Sequence, residues 1–155
     1  FELDNQNALG WGASLTGHIG FGKGHKIYAG VLYGDGMGRY GGLGLNTGAG
    51  LTAAGQIETV KFRSYNTGVS FALKENLAWT LGCGYSENDE DAYTGSQAVL
   101  SGNANKDAFS WHTNLKWKIT PTVEYGVGFS GMSQELMDGR KGDMARVQNY
   151  IKYSF

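Results

Sequence analysis

The sequence predicts an all-β chain, a transmembrane antiparallel β-barrel crossed by strands, and three observations carry that prediction. Apolar and small polar residues alternate with a period of two along seven stretches, tight turns alternate with long polar connections, and aromatic rings gather near the stretch ends. A period of two puts successive side chains on opposite faces, whereas a helix would break the alternation within one turn. No uncharged apolar run approaches the ~18 residues of a spanning helix. Mean hydropathy is −0.34, so membrane crossing rests on strands.

The first stretch, residues 9–21, sets Leu9, Trp11, Ala13, Leu15, Gly17, Ile19 and Phe21 against Gly10, Gly12, Ser14, Thr16, His18 and Gly20. The second, residues 26–34, carries Ile27, Ala29, Val31 and Tyr33 on the same odd parity. The third spans residues 60–73 and the fourth residues 77–86, with Tyr65, Val69, Phe71, Trp79, Leu81 and Cys83 among their odd positions. Residues 108–119 follow with Phe109, Trp111, Leu115 and Trp117, then residues 122–131 with Tyr125, Val127 and Phe129. Residues 146–155 close the series with Val147, Ile151, Tyr153 and Phe155. Short turns are expected at residues 22–25, 74–76 and 120–122, and long connections at 34–56, 87–107 and 131–145.

A soluble sandwich alternates as well. Paired aromatic girdles and the short/long asymmetry belong instead to bacterial outer-membrane barrels, with short turns in the periplasm and long loops outside. A terminal aromatic residue, here Phe155, also characterises them. With the last strand finishing on the periplasmic side, the seven stretches alternate downward and upward, and residues 1–8 fall outside the cell. Complete bacterial single-chain barrels have an even strand number. The expectation is therefore one barrel domain over residues 1–155, without a second domain, forming the C-terminal part of a larger barrel. A short strand within residues 1–5 would make an eight-stranded barrel, an adhesin or anchor acting through its outer loops, but a span needs ~9–11 residues.

Composition narrows the function classes. Gly occurs 26 times and Pro once, without a Gly-X-Y period, which excludes collagen. The net charge of −1 offers no field for nucleic acid. Cys83 is the single cysteine, so the chain holds no internal disulfide or thiolate metal cluster. Gly34 to Gly38 lacks the context of a dinucleotide fingerprint, and residues 88–91 bunch carboxylates without calcium-loop spacing. His18, His25 and His112 are too scattered for a zinc site, and no nucleophile set is visible. Neither enzymatic activity nor a cofactor is expected.

Three runs carry a resemblance: Gly10-Trp11-Gly12-Ala13-Ser14-Leu15, then residues 33–40 (Tyr-Gly-Asp-Gly-Met-Gly-Arg-Tyr), then residues 138–148 with Lys152-Tyr153-Ser154-Phe155. In that order they resemble the C-terminal part of DcaP-like porins. The resemblance implies trimers of 16-stranded barrels that pass small anionic solutes such as dicarboxylates, with a coiled-coil segment before the barrel. This sequence has no heptad segment and about half the strands, in keeping with a C-terminal half. Outer-membrane lipid and lipopolysaccharide are the expected surroundings.

Selectivity in a wide pore comes from charge facing water. The even parity places His18, Lys26, Lys116, Lys118, Arg146 and Lys152 on the pore face, opposed by Glu124. Such a basic wall concentrates anions, and Arg holds a carboxylate with two hydrogen bonds. Lys26, Lys116, Lys118 and Lys152 are expected near the periplasmic rim. Arg146 and Arg39, the latter in the 34–56 connection, are the stronger candidates for a solute ladder. That connection either folds inward as a constriction or stands exposed.

Overall fold

Alternation becomes strand pairing in the computed structural model, which describes residues 7–40, 48–94 and 98–155. A strand within residues 1–5 lies outside the described residues. The strands are β1 (Trp11–Phe21), β2 (His25–Asp35), β3 (Ala49–Leu51), β4 (Ile57–Thr59), β5 (Lys61–Lys74), β6 (Leu77–Asn88), β7 (Asn105–Lys118), β8 (Val123–Leu136) and β9 (Lys141–Tyr153). All but β3 and β4 join one seven-stranded sheet in the order β1-β2-β5-β6-β7-β8-β9, every neighbour antiparallel. β1 and β9 are its two edges and do not pair with each other, so among the described residues the sheet is open.

The expected strands are present, and their ends shift. β8 and β9 run several residues into the stretch expected as the 131–145 loop, leaving only residues 137–140 between them. Apolar alternation fades there because Ser133, Glu135, Lys141 and Asp143 occupy the odd parity. The ladder continues regardless, with Lys141 bridging Glu135 at 2.7 Å. The 34–56 connection carries the β3–β4 hairpin and a 3₁₀ turn at Gly38–Tyr40, and a short helix, α1 (Asp91–Thr94), sits between β6 and β7. β9 ends at Tyr153 rather than Phe155, although the Ser154 N–H still donates to the Thr122 carbonyl at 2.9 Å.

Both expected ring belts form on the odd parity. At the long-connection end Trp11 meets Tyr33 at 5.4 Å, and Tyr65, Tyr85 and Phe109 are direct cross-strand neighbours. At the tight-turn end Phe71 stacks on Trp79 at 5.6 Å, and Trp117 lies opposite Tyr125. Between the belts the odd parity stays uncovered: Leu15 and Ile19 are each 75% exposed and Ile151 is 74% exposed. In water such a continuous apolar surface would be severely unfavourable, and it suits a lipid boundary.

The glycine excess has a steric cause on the opposite face. A Cβ on Gly68 would lie 2.1 Å from the Tyr28 hydroxyl oxygen and one on Gly82 would lie 2.4 Å from it, so Tyr28 lies across two strands that carry no side chain beneath it. Gly126 likewise clears space for Tyr150, and Gly34 for Phe62. Backbone freedom is required separately in the β1–β2 turn, where Gly22 and Gly24 have φ of 54° and 89°.

Buried side chains concentrate at the long-connection end of the even parity. Phe62 is 1% exposed while its lipid-parity neighbour Tyr65 is 45% exposed, and Ser64, Ser86, Asn88 and Ala108 are buried as well. Met37 from the following connection comes close to Phe62 beside Gly34, and the Asn88 side-chain amide donates to the Asn105 carbonyl at 2.7 Å. Val60, Leu100 and Met137, one from each connection, form a small apolar core with Tyr93 and Val99 against it. Main-chain bonds tie the segments together: Met137 N–H to the Ala104 carbonyl at 2.9 Å, and Val60 N–H to the Gly48 carbonyl at 2.9 Å. In the described part of the 34–56 connection Thr52 is buried, while Tyr40 and Leu51 are exposed.

Candidate functional site

Because the six pairings keep parity everywhere except at the bulged ends beside Lys74 and Asn105, even-numbered residues line up in rows that cross the whole sheet. One row reads His18, Tyr28, Gly68, Gly82, His112, Ser130, Arg146. The next, toward the tight-turn end, reads Gly20, Lys26, Ser70, Thr80, Asn114, Gly128, Gln148, with Thr80 donating to the Ser70 hydroxyl at 3.2 Å. Lys116 follows with Gly126 and Tyr150, and Lys118 with Glu124 and Lys152.

These rows bring predicted residues together in two groups. His18 and Arg146 share a row, which His112 joins. Lys118, Glu124 and Lys152 are consecutive in theirs, at the tight-turn end as expected. Lys26 stands apart on β2, in a row of small and amide side chains. Arg39 falls in the 3₁₀ turn Gly38–Tyr40, and its side chain lies outside the described residues. Tyr150 shares the even parity and lies outside the predicted set; its hydroxyl donates to the Glu124 carboxylate at 2.7 Å. The glycine opposite it, Gly126, was the available signal, since a side chain there would collide with the ring.

Charge is handled differently at the two ends. Every ion pair among the described residues lies at the long-connection end: Arg63–Glu87 at 3.5 Å, Lys106 with Glu90 at 2.8 Å and Glu135 at 3.4 Å, Arg140–Asp138 at 2.8 Å, and Lys141–Glu135 at 2.7 Å. On the lipid parity, Arg63, Glu87, Asp107, Glu135 and Lys141 form one row just beyond the aromatic belt, marking where the apolar boundary stops. In the β8–β9 turn the Arg140 N–H donates to Asp138 at 3.2 Å and the guanidinium adds a second contact. Together they hold the Asp138 carboxyl below the usual carboxylate range.

On the even face, by contrast, Lys26, Lys116, Lys118, Arg146 and Lys152 have no carboxylate within ion-pair distance among the described residues. Their charges are uncompensated apart from Glu124, whose carboxylate is engaged by Tyr150. A wall of this kind lowers the energy of an anion beside it and raises that of a cation. Among the described residues no cluster of three His, Cys, Asp or Glu side chains is arranged to hold a metal.

No protein-family model and no curated protein matches the chain. Among solved structures, the outer membrane channel DcaP of Acinetobacter baumannii aligns with a TM-score of 0.81 over 99% of this chain, at 21% sequence identity. The chain spans 43% of the length of that channel. The Yersinia pestis outer membrane protein Ail aligns with a TM-score of 0.35 at 16% identity, over 97% of this chain and 87% of that one, too low to carry a shared fold. The DcaP alignment shows the fold: seven antiparallel strands arranged as in part of that channel's barrel.

Proposed function

We propose that this chain forms part of the wall of an outer-membrane porin, a passive diffusion channel for small anionic, dicarboxylate-like solutes. The observation that carries the reading is the even parity with its uncompensated cations, facing away from the apolar, uncovered odd parity. In a pore lined this way, fixed positive charge concentrates anions at the wall and favours their entry. The connections folded over the same face narrow the long-connection end, which this reading places outside the cell, and the tight turns lie in the periplasm. Assembly as a homotrimer, in contact with lipopolysaccharide, belongs to the proposal through the sequence resemblance.

The test is the reversal potential across a salt gradient, measured on the full-length protein that carries this chain, in a planar bilayer. Anion preference is expected, and replacing Lys118 and Lys152 together by Glu should lower the anion-to-cation permeability ratio several-fold. Cation preference in the unaltered protein would remove the anionic reading.

A further inference from the structure

The outward face of the sheet carries two hollows that meet on one strand. Just beyond the aromatic belt, at the long-connection end, the odd parity of β2, β5, β6 and β7 sinks into a polar hollow of about 390 Å³ lined by Tyr33, Lys61, Arg63, Tyr85, Glu87 and Asp107. Within the belt an apolar hollow of about 460 Å³ opens between β7 and β9, lined by Phe109, Trp111, Gly131, Ser133, Asp143 and Ala145. Each volume lies within the ~300–1,000 Å³ typical of small-molecule sites. β7 joins them: Asp107 lines the first, Phe109 and Trp111 line the second, and polar gives way to apolar over roughly 13 Å of one strand.

The chemistry of the two hollows is complementary. In the polar one Lys61 has no ion-pair partner among the described residues, and Arg63 reaches only Glu87, at 3.5 Å. Such cations hold phosphate, and Arg does so with two hydrogen bonds, while the carboxylates of Glu87 and Asp107 accept hydrogen bonds from hydroxyls. In the apolar one β8 presents Gly131, and a Cβ there would lie 2.5 Å from the Trp111 indole nitrogen, so the ring lies over the glycine. Trp111 is 41% exposed, and its N–H has no acceptor among the described residues. Against hydrocarbon an unmet donor is unfavourable, and a carbonyl at the head of an acyl chain would satisfy it.

We infer that the paired hollows form a binding site for one lipopolysaccharide molecule of the surrounding membrane. Its phosphorylated sugar occupies the polar hollow, an acyl chain fills the apolar one, and the Trp111 N–H donates to a carbonyl where the chain is attached. The inference rests on the outer-membrane porin reading, which places the long-connection end outside the cell, and it narrows a general lipid contact to one place on the wall.

The test is native mass spectrometry of the full-length protein in mild detergent, offered a rough-type lipopolysaccharide or phosphatidylethanolamine at equal concentration. Saturable retention of lipopolysaccharide, at least tenfold tighter than that of phosphatidylethanolamine, is expected. Replacing Lys61 and Arg63 together by Gln should remove one tightly held lipopolysaccharide per subunit. Ala145→Phe fills the apolar hollow from an exposed position, so it should remove the same molecule while leaving the chloride reversal potential unchanged, because residue 145 faces away from the pore. The charge variant is an independent check if Ala145→Phe misfolds. Equal retention of the two lipids, or lipopolysaccharide retention unchanged in both variants, would overturn the site and leave the anion reading standing. Cation preference in a protein that still retains lipopolysaccharide would remove the anion reading and leave the site.

Discussion

Gly68 shows how a residue with no side chain can be as constrained as a core leucine. A methyl there would meet the Tyr28 hydroxyl and lie 2.6 Å from the Leu81 carbonyl oxygen, a backbone atom that cannot swing aside. Gly68→Ala should therefore destabilise the folded protein by about 1–3 kcal/mol, the usual cost of overpacking. The loss should appear in urea unfolding of the protein in lipid vesicles, with part of it recovered when Tyr28→Ala is added. Unchanged stability in the single variant would mean that Tyr28 does not lie where its ring is placed. The sequence advertised the glycine excess without showing its cause, because a glycine and the ring above it meet through pairing across a long connection. Parity, by contrast, was readable position by position, and it assigned His18, Lys26, Lys116, Lys118, Glu124, Arg146 and Lys152 to one face.

Strands were legible wherever lipid imposes an apolar parity, and they lost their signal where it does not. β8 and β9 extend past the aromatic belt as a hairpin whose outer residues are charged on the lipid parity, so the alternation that marked Val123 to Phe129 fades by Glu135. Register followed the same division. Tight turns such as Gly22–Gly24 set the β1–β2 pairing almost unaided, whereas β2–β5 and β6–β7 are registered across long connections that no local pattern encodes. The row joining His18 to Arg146 was hidden for that reason. The connections themselves are held by Val60, Leu100 and Met137, and Leu100→Ala removes the middle of that core. Such a truncation costs about 2–5 kcal/mol where the site cannot collapse. Faster protease cleavage within residues 89–104 is expected, with the main sheet's circular dichroism preserved. Loss of the whole sheet would show instead that the connections and the wall fold as one unit.

At the scale of the molecule, two faces of one sheet serve two solvents. Between the ring belts the odd-numbered strand side chains form the apolar, uncovered face, and the even-numbered ones carry the uncompensated cations. The seven-stranded sheet is open at β1 and β9, and it matches part of a channel whose chain is more than twice as long. The proposed anion selectivity depends on that division of faces. Site-directed spin labelling along β9 of the full-length protein in bilayers tests it most directly, one label at a time at residues 147–152 in a Cys83→Ser background. Labels at 147, 149 and 151 should be relaxed by oxygen, which partitions into lipid, and labels at 148, 150 and 152 by a water-soluble nickel chelate. Accessibility that fails to alternate, or that alternates with the opposite parity, would contradict the assignment of faces on which the account rests.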